Sequence, residues 1–180
     1  MINVSRASDG TLPSNERIAE IARFWEARRE TRMMAYVANN IVIRDSSIPG
    51  AGRGVFSQVD LHPDPARRVA WYRGRIIPID CWMNRSPELN SYIFYTYDGT
   101  FIDGGFEEES NWPRFLNCPK GSGKRPNVSF DGRGGIVVIR EIKAGDELFV
   151  DYGLGYHFSN NRKHKVPSKA HCEICHWQQR

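Results

Sequence analysis

Apolar positions along this chain recur with two different periods, and the change of period divides it. Between Ser14 and Ala35 the spacing is helical: Ile18, Ile21, Ala22 and Trp25 share one face, while Arg17, Arg28, Arg29 and Arg32 lie largely elsewhere. Ser14 supplies a capping hydroxyl ahead of Asn15, and Glu16 and Glu20 stand near the positive end of the helix dipole. The pattern predicts a helix over 14–35 whose apolar face lies against the domain. Glutamates interleaved with the arginines count against a nucleic-acid-binding helix. Residues 1–13 are polar, end in Pro13 and predict a loose N-terminal tail.

From Tyr36 the apolar residues come in short runs punctuated by Gly, Pro and Asp. Tyr36-Val37-Ala38 and Ile41-Val42-Ile43 read as strands, and Ile48 to Phe56 as a glycine-rich turn entering another. Trp71 to Ile77 reads as one strand stopped at Pro78. Tyr92 to Tyr97 and Phe101 to Asp103 flank Asp98-Gly99, which predicts a hairpin with a two-residue turn. A second hairpin is expected from Pro126–Phe130 and Gly135–Arg140, with Asp131-Gly132 in its turn. The run from Asp146 closes a last strand on Tyr152. The expected fold is mainly β, with one N-terminal helix.

Composition narrows the class. A chain of 180 residues, 40% hydrophobic and 26% charged, suits one soluble domain with small appendages. Its net charge of +4 is read as a solvated surface, with nucleic acid as a partner allowed but not required. No apolar run approaches the roughly 20 residues of a membrane span, and the N-terminus lacks a secretory layout, so a membrane or secreted protein is not expected. Four cysteines form no dense disulfide framework, which favours a reducing compartment.

Two glycine-rich stretches invite nucleotide readings and fail them. Gly50-Ala51-Gly52-Arg53-Gly54 has its third glycine misplaced and runs into a strand where a dinucleotide site opens a helix. Gly121-Ser122-Gly123-Lys124 is followed by Arg125 where a phosphate loop needs Ser or Thr. What the first stretch retains is close backbone approach to a ligand.

Four segments in order carry more. GAGRGVF, YRGRII, NWPRFLNC with Pro126-Asn127 after it, and GDELFVDYG together resemble the SET-domain lysine methyltransferases, over roughly residues 36–158. In detail they resemble the PR subgroup, which carries Asn-Cys, as at Asn117-Cys118, where most SET proteins have Asn-His. Three features depart from the pattern. Gly121 to Lys124 makes a basic loop before Pro126-Asn127, Asp151 stands where PR members often carry Trp, and the usual post-SET zinc cysteines are not reproduced.

The resemblance implies a fold of several small sheets with a C-terminal segment threaded through them like a pseudoknot. It implies transfer of methyl from S-adenosylmethionine to a lysine side chain, most simply on a histone tail, in a nuclear or chromatin-associated protein. Tyr152 is then the catalytic residue and Tyr72 lines the lysine channel. Val150 holds the position that bears on methyl number in the family. Ala51, Gly52, Arg53, Tyr92, Asn117 and Cys118 would contact the cofactor, and His157 and Phe158 would cover its adenine. The alternatives are a PR-type recruitment module with little or no catalysis, and methylation of a non-histone protein.

Two further stretches concern partners. Asp98, Asp103 and Glu107-Glu108-Glu109 are acidic and would attract a basic peptide if they border its groove, or else form a solvated loop. Residues 159–180 are read as a basic tail in which Cys172 and Cys175 form a Cys-x-x-Cys pair. That pair is a candidate zinc ligand set with His171 or His176 or a second chain, or else an unliganded tail.

Overall fold

The computed structural model describes residues 14–83 and 91–153. Helix α1 runs Asn15–Asn39, and the Ser14 hydroxyl accepts the Arg17 amide at 3.2 Å, as its capping role requires. The helix is longer than its apolar period suggested. Tyr36-Val37-Ala38, expected as a strand, forms its last turn, because Val37 lies one turn beyond Met33 and both reach the core. The chain leaves the helix at Asn40, whose amide N–H bonds Val37 O and whose side chain bonds Tyr36 O. The buried face is also not the expected one. Ile18 and Trp25 are 42% and 45% exposed while Val37 is fully buried, because the second half of α1, through Glu30, Met33 and Val37, meets the later strand Arg68–Trp71 and the core.

Nine short strands among the described residues form three antiparallel sheets of three. The first joins β1 (Ile41–Asp45), β2 (Arg53–Ser57) and β9 (Glu147–Leu148). The second places β8 (Gly135–Val138) between β3 (Arg68–Trp71) and β7 (Val128–Phe130). The third places β6 (Phe101–Asp103) between β4 (Arg75–Ile77) and β5 (Ile93–Tyr95), with the short helix α2 (Ile79–Met83) following β4. Ile77, Cys81 and Phe101 make a small core under this third sheet. The main core gathers Val37, Val55, Val128, Ile136 and Leu148 from α1 and the other two sheets, with Leu116 and Val150 from the segments beside them.

Two hairpins follow the expected pairing with one difference. In β7–β8, Asp131 Oδ1 accepts the amides of Arg133 and Gly135 at 2.9 Å each, so the Asp side chain closes the turn. In β5–β6 the turn has three residues and not two. Thr96 N–H bonds Thr100 O at 2.9 Å and the Thr96 hydroxyl accepts Thr100 N–H, so Tyr97, Asp98 and Gly99 (φ 88°) form the loop. The expected strand Trp71–Ile77 is split between two sheets. Gly74 lies at the break, where an added Cβ would collide with the Asp103 carbonyl.

The last strand passes between two other segments. Val150 N–H bonds Asn117 O at 3.0 Å on one side, and Asn127 N–H and Val128 N–H bond Phe149 O at 3.0 and 3.1 Å on the other. Asn127 adds two side-chain bonds, donating to Glu147 O at 2.9 Å and accepting Phe149 N–H at 2.8 Å. This is the threaded arrangement that the sequence led us to expect. Replacing Asn127 with Ala leaves two backbone groups of a buried strand without partners, at about 2–4 kcal/mol in all. Urea denaturation of N127A should show that loss, with circular dichroism near wild type.

Candidate functional site

The site is built where the threaded strand meets the glycine loop between β1 and β2. Ser46 N–H bonds Gly52 O at 2.8 Å and Ala51 N–H bonds Ile48 O at 3.1 Å, which folds residues 46–52 into a compact turn. Gly50 and Gly52 take positive φ angles of 78° and 73°, and a Cβ at either would meet nothing within 4 Å. The loop therefore presents bare backbone to open space. Arg53 stacks on Phe115 at 4.3 Å and pairs with Glu107 at 3.5 Å.

Glu147, absent from the sequence-based candidates, fixes this loop. It is 5% exposed, and its carboxylate accepts Ser46 Oγ at 2.6 Å, Ser47 N–H at 2.7 Å, the Ser47 hydroxyl and Asn117 Nδ2 at 3.4 Å. Burial pushes its carboxyl upward, but the bonds from Ser46, Ser47 and Asn117 outweigh that and hold it below the usual glutamate value. Gly54 is obligatory beside it, since a Cβ there would strike the Glu147 carboxylate. In sequence Glu147 is an acidic residue in a strand, and nothing in its spacing points to Ser46 and Ser47.

Asn117 joins three elements. Its Nδ2 donates to Arg53 O at 2.9 Å, while its backbone oxygen accepts from Val150. Asn117 thus joins Arg53, at the end of the glycine loop, to Val150 of the threaded strand. Val150 is 1% exposed and belongs to the main core, with Tyr152 packed against that cluster. Cys118 lies on a cavity of about 430 Å³ with Pro119, Lys120, Lys124, Pro126, Asp151 and Gly153.

The tyrosines cluster on the other side of the crossing. Tyr152 donates its hydroxyl to Leu116 O at 2.5 Å, so the phenol is locked to the segment preceding Asn117. Tyr72 is buried between Phe94 and Phe130, with ring centroids at 5.8 and 6.0 Å, and donates to Tyr92 O at 2.6 Å. Burial raises the Tyr72 phenol well above its ordinary value, and the Asp103 carboxylate nearby adds to that. Asn111 positions this tyrosine, donating to Trp71 O at 2.8 Å and accepting Arg73 N–H at 3.1 Å on either side of it. Tyr92 is 38% exposed, with the Arg114 guanidinium 4.7 Å over its ring.

The acidic stretch is not a bare negative field. Glu107 pairs with Arg114 at 3.1 Å as well as with Arg53, and Glu109 makes a two-pronged bond to Arg75. His157, Phe158, Cys172 and Cys175 lie outside the described residues. Among the described residues there is no group of three or more His, Cys, Asp or Glu able to hold a metal, and no helix long and apolar enough to cross a membrane.

These features define the class. The SET-domain family model matches residues 12–153, α1 included, and the chain belongs to the SET-domain family. It is 31% identical over 138 residues to the histone-lysine N-methyltransferase set-17 of Caenorhabditis elegans, covering 71% of this chain and 47% of that protein. The chain therefore spans about half the length of that relative. Among solved structures, a humanized mutant of Polycomb Repressive Complex 2 from Chaetomium thermophilum, bound to the inhibitor GSK126, is 24% identical, with a TM-score of 0.52. The match covers 63% of this chain and 15% of that one, and supports the fold. The methyltransferase domain of human PR domain-containing protein 2 is 20% identical over 66% of this chain and 83% of that one, with a TM-score of 0.48.

A neutral buried phenol adds stability that is whole below the unfolded tyrosine value near pH 10 and is lost as pH rises through the folded value. Tyr72→Phe should cost about 1 kcal/mol at pH 7 through its lost hydrogen bond. Urea midpoints taken at rising alkaline pH should show wild type and Y72F converging.

Proposed function

We propose that this chain is a protein-lysine N-methyltransferase that uses S-adenosylmethionine and acts on a basic peptide, most directly a histone tail. The observation that carries this reading is the convergence of Tyr152, Tyr72, Asn117 and the open glycine loop on one crossing of the threaded strand. The match to a relative named as a histone-lysine methyltransferase supports the substrate class. A nuclear or chromatin-associated location and PR-type affiliation go with it.

The residues fit such a cofactor. Gly50 and Gly52 leave room in front of exposed backbone, and the cavity of about 430 Å³ beside Cys118 lies within the range of small-ligand sites. Ala51, Gly52 and Arg53 would hold it from the loop, Asn117 and Cys118 from the opposite wall and Tyr92 at the edge, with His157 and Phe158 carried over for the adenine. When bound, S-adenosylmethionine supplies an electrophilic methyl carbon.

The chain's own task is to deliver a neutral amine. Lysine titrates near 10.4, so only about one part in a thousand is neutral at physiological pH. Tyr72 and its aromatic neighbours Phe94 and Phe130 form an apolar wall that disfavours the ammonium by desolvation and orients the lysine stem. Tyr72 is itself kept protonated, so it adds no negative charge that would hold the lysine proton. Tyr152, tied to Leu116 O, is a fixed hydroxyl beside the reacting atoms, and most of the rate comes from positioning. Val150 supports that tyrosine from the core and bears on the number of methyl groups admitted. Zinc at Cys172 and Cys175 is a separate expectation that this mechanism does not use.

Calorimetry should detect S-adenosylmethionine binding, and mass spectrometry of a histone-tail peptide array should show methylated lysine. Tyr152→Phe should lower kcat by at least about 100-fold, with the fold retained. Absence of cofactor binding by the wild type overturns the enzyme reading, and full activity in Y152F overturns the role of Tyr152.

A further inference from the structure

The loop that follows Cys118 is the part of the site least like the family, and it touches the glycine loop directly. Gly121 and Gly123 both take positive φ, at 82° and 76°. Ser122 N–H and Oγ both bond Pro119 O, at 3.0 and 2.6 Å, and the Ser122 hydroxyl accepts Lys124 N–H at 3.3 Å. The turn so formed aims Lys124 away from its own loop. The Lys124 ammonium lies 5.5 Å over the Phe149 ring and donates to Ser47 Oγ at 2.9 Å.

Ser47 already serves Glu147. Its hydroxyl gives its one hydrogen to the Glu147 carboxylate and its lone pair to Lys124, so ammonium, hydroxyl and carboxylate are linked in series. The chain of bonds crosses from the 119–125 loop through the glycine loop to β9. Lys124 also lines the cavity with Cys118, Asp151 and Gly153. The Lys124 side chain therefore ties the glycine loop, at Ser47, to the loop that follows Cys118 and borders this cavity. The two ends differ in setting: Glu147 is buried at 5%, whereas Lys124 is exposed and its substitution leaves no cavity in the core.

We propose that Lys124, Ser47 and Glu147 act together as positioning residues, holding the glycine loop and the Cys118 wall at the separation that S-adenosylmethionine binding requires. This role rests on the methyltransferase reading. None of the three need touch the reacting atoms. Their effect falls on cofactor affinity, because an unpinned loop must be ordered at the moment of binding.

The test uses the full chain and calorimetric titration with S-adenosylmethionine, alongside hydrogen exchange of residues 46–54 without cofactor. Lys124→Met should weaken binding about threefold to tenfold and speed exchange in the glycine loop, with the melting temperature nearly unchanged. Lys124→Arg should restore most of the affinity. Glu147→Gln should weaken binding about tenfold or more, and adding K124M to it should cost less than it does alone, because the two act through one hydroxyl. Should E147Q fail to fold, Ser47→Ala replaces it in the same cycle. In turnover the loss should appear in KM for the cofactor and not in kcat. Wild-type affinity in K124M overturns the proposal alone, as does a lowered melting temperature with unchanged affinity. Failure of the wild type to bind overturns the enzyme reading and this role with it.

Discussion

The backbone of Phe149 and Val150 is bonded on both sides, to Asn117 on one and to Asn127 and Val128 on the other, and the rest of the site is arranged around that crossing. A strand in such a position cannot move without exposing amide and carbonyl groups that have no water to replace their partners. Asn127 doubles the constraint by bonding Glu147 O and Phe149 N–H with its side chain. Leu116, Val128, Leu148 and Val150 close the core around it. Tyr152 follows directly, so its phenol inherits a rigid base and reaches Leu116 O without a flexible link.

The same crossing exports order to the glycine loop. Glu147 begins the strand that becomes the threaded segment, and its carboxylate collects donors from Ser46, Ser47 and Asn117. A buried carboxylate is costly unless it is fully bonded, and here that cost is answered by groups that the site needs in fixed places. Arginines do the corresponding work on the acidic side. Arg53, Arg75 and Arg114 meet Glu107 and Glu109, so this region is a local network before it is a long-range field. A basic peptide that approaches it meets charges already partly matched.

Much of the framework was legible because it is locally coded. Ser14 caps its helix, Asp131-Gly132 turns its hairpin, and the glycines before β2 leave their backbone bare, each for reasons contained in a few adjacent residues. What failed was set by distant partners. Tyr36-Val37-Ala38 has strand-like composition, yet Val37 completes a helical pair with Met33 against the core. Trp71 to Ile77 reads as one strand, but Asn111 bonds both sides of Tyr72 and Gly74 must pass the Asp103 carbonyl. Ile18 and Trp25 share a face yet stay 42% and 45% exposed, since amphipathic spacing specifies a face and not its neighbour.

The sequence by itself determined the chemical inventory and its order: a bare-backbone loop, an asparagine–cysteine pair, a closing tyrosine, and strands short enough to form several small sheets. These are consequences of side-chain type and spacing, which act over a few residues. Only the tertiary structure decided which pieces meet. Leu116 and Tyr152 are 36 positions apart, and Ser47 and Glu147 are 100 apart, so no local period relates them. Their contact depends on a strand threaded between two others, where unmet backbone bonds exclude the alternatives. The tyrosine, the asparagine and the loop acquire a common site through that crossing.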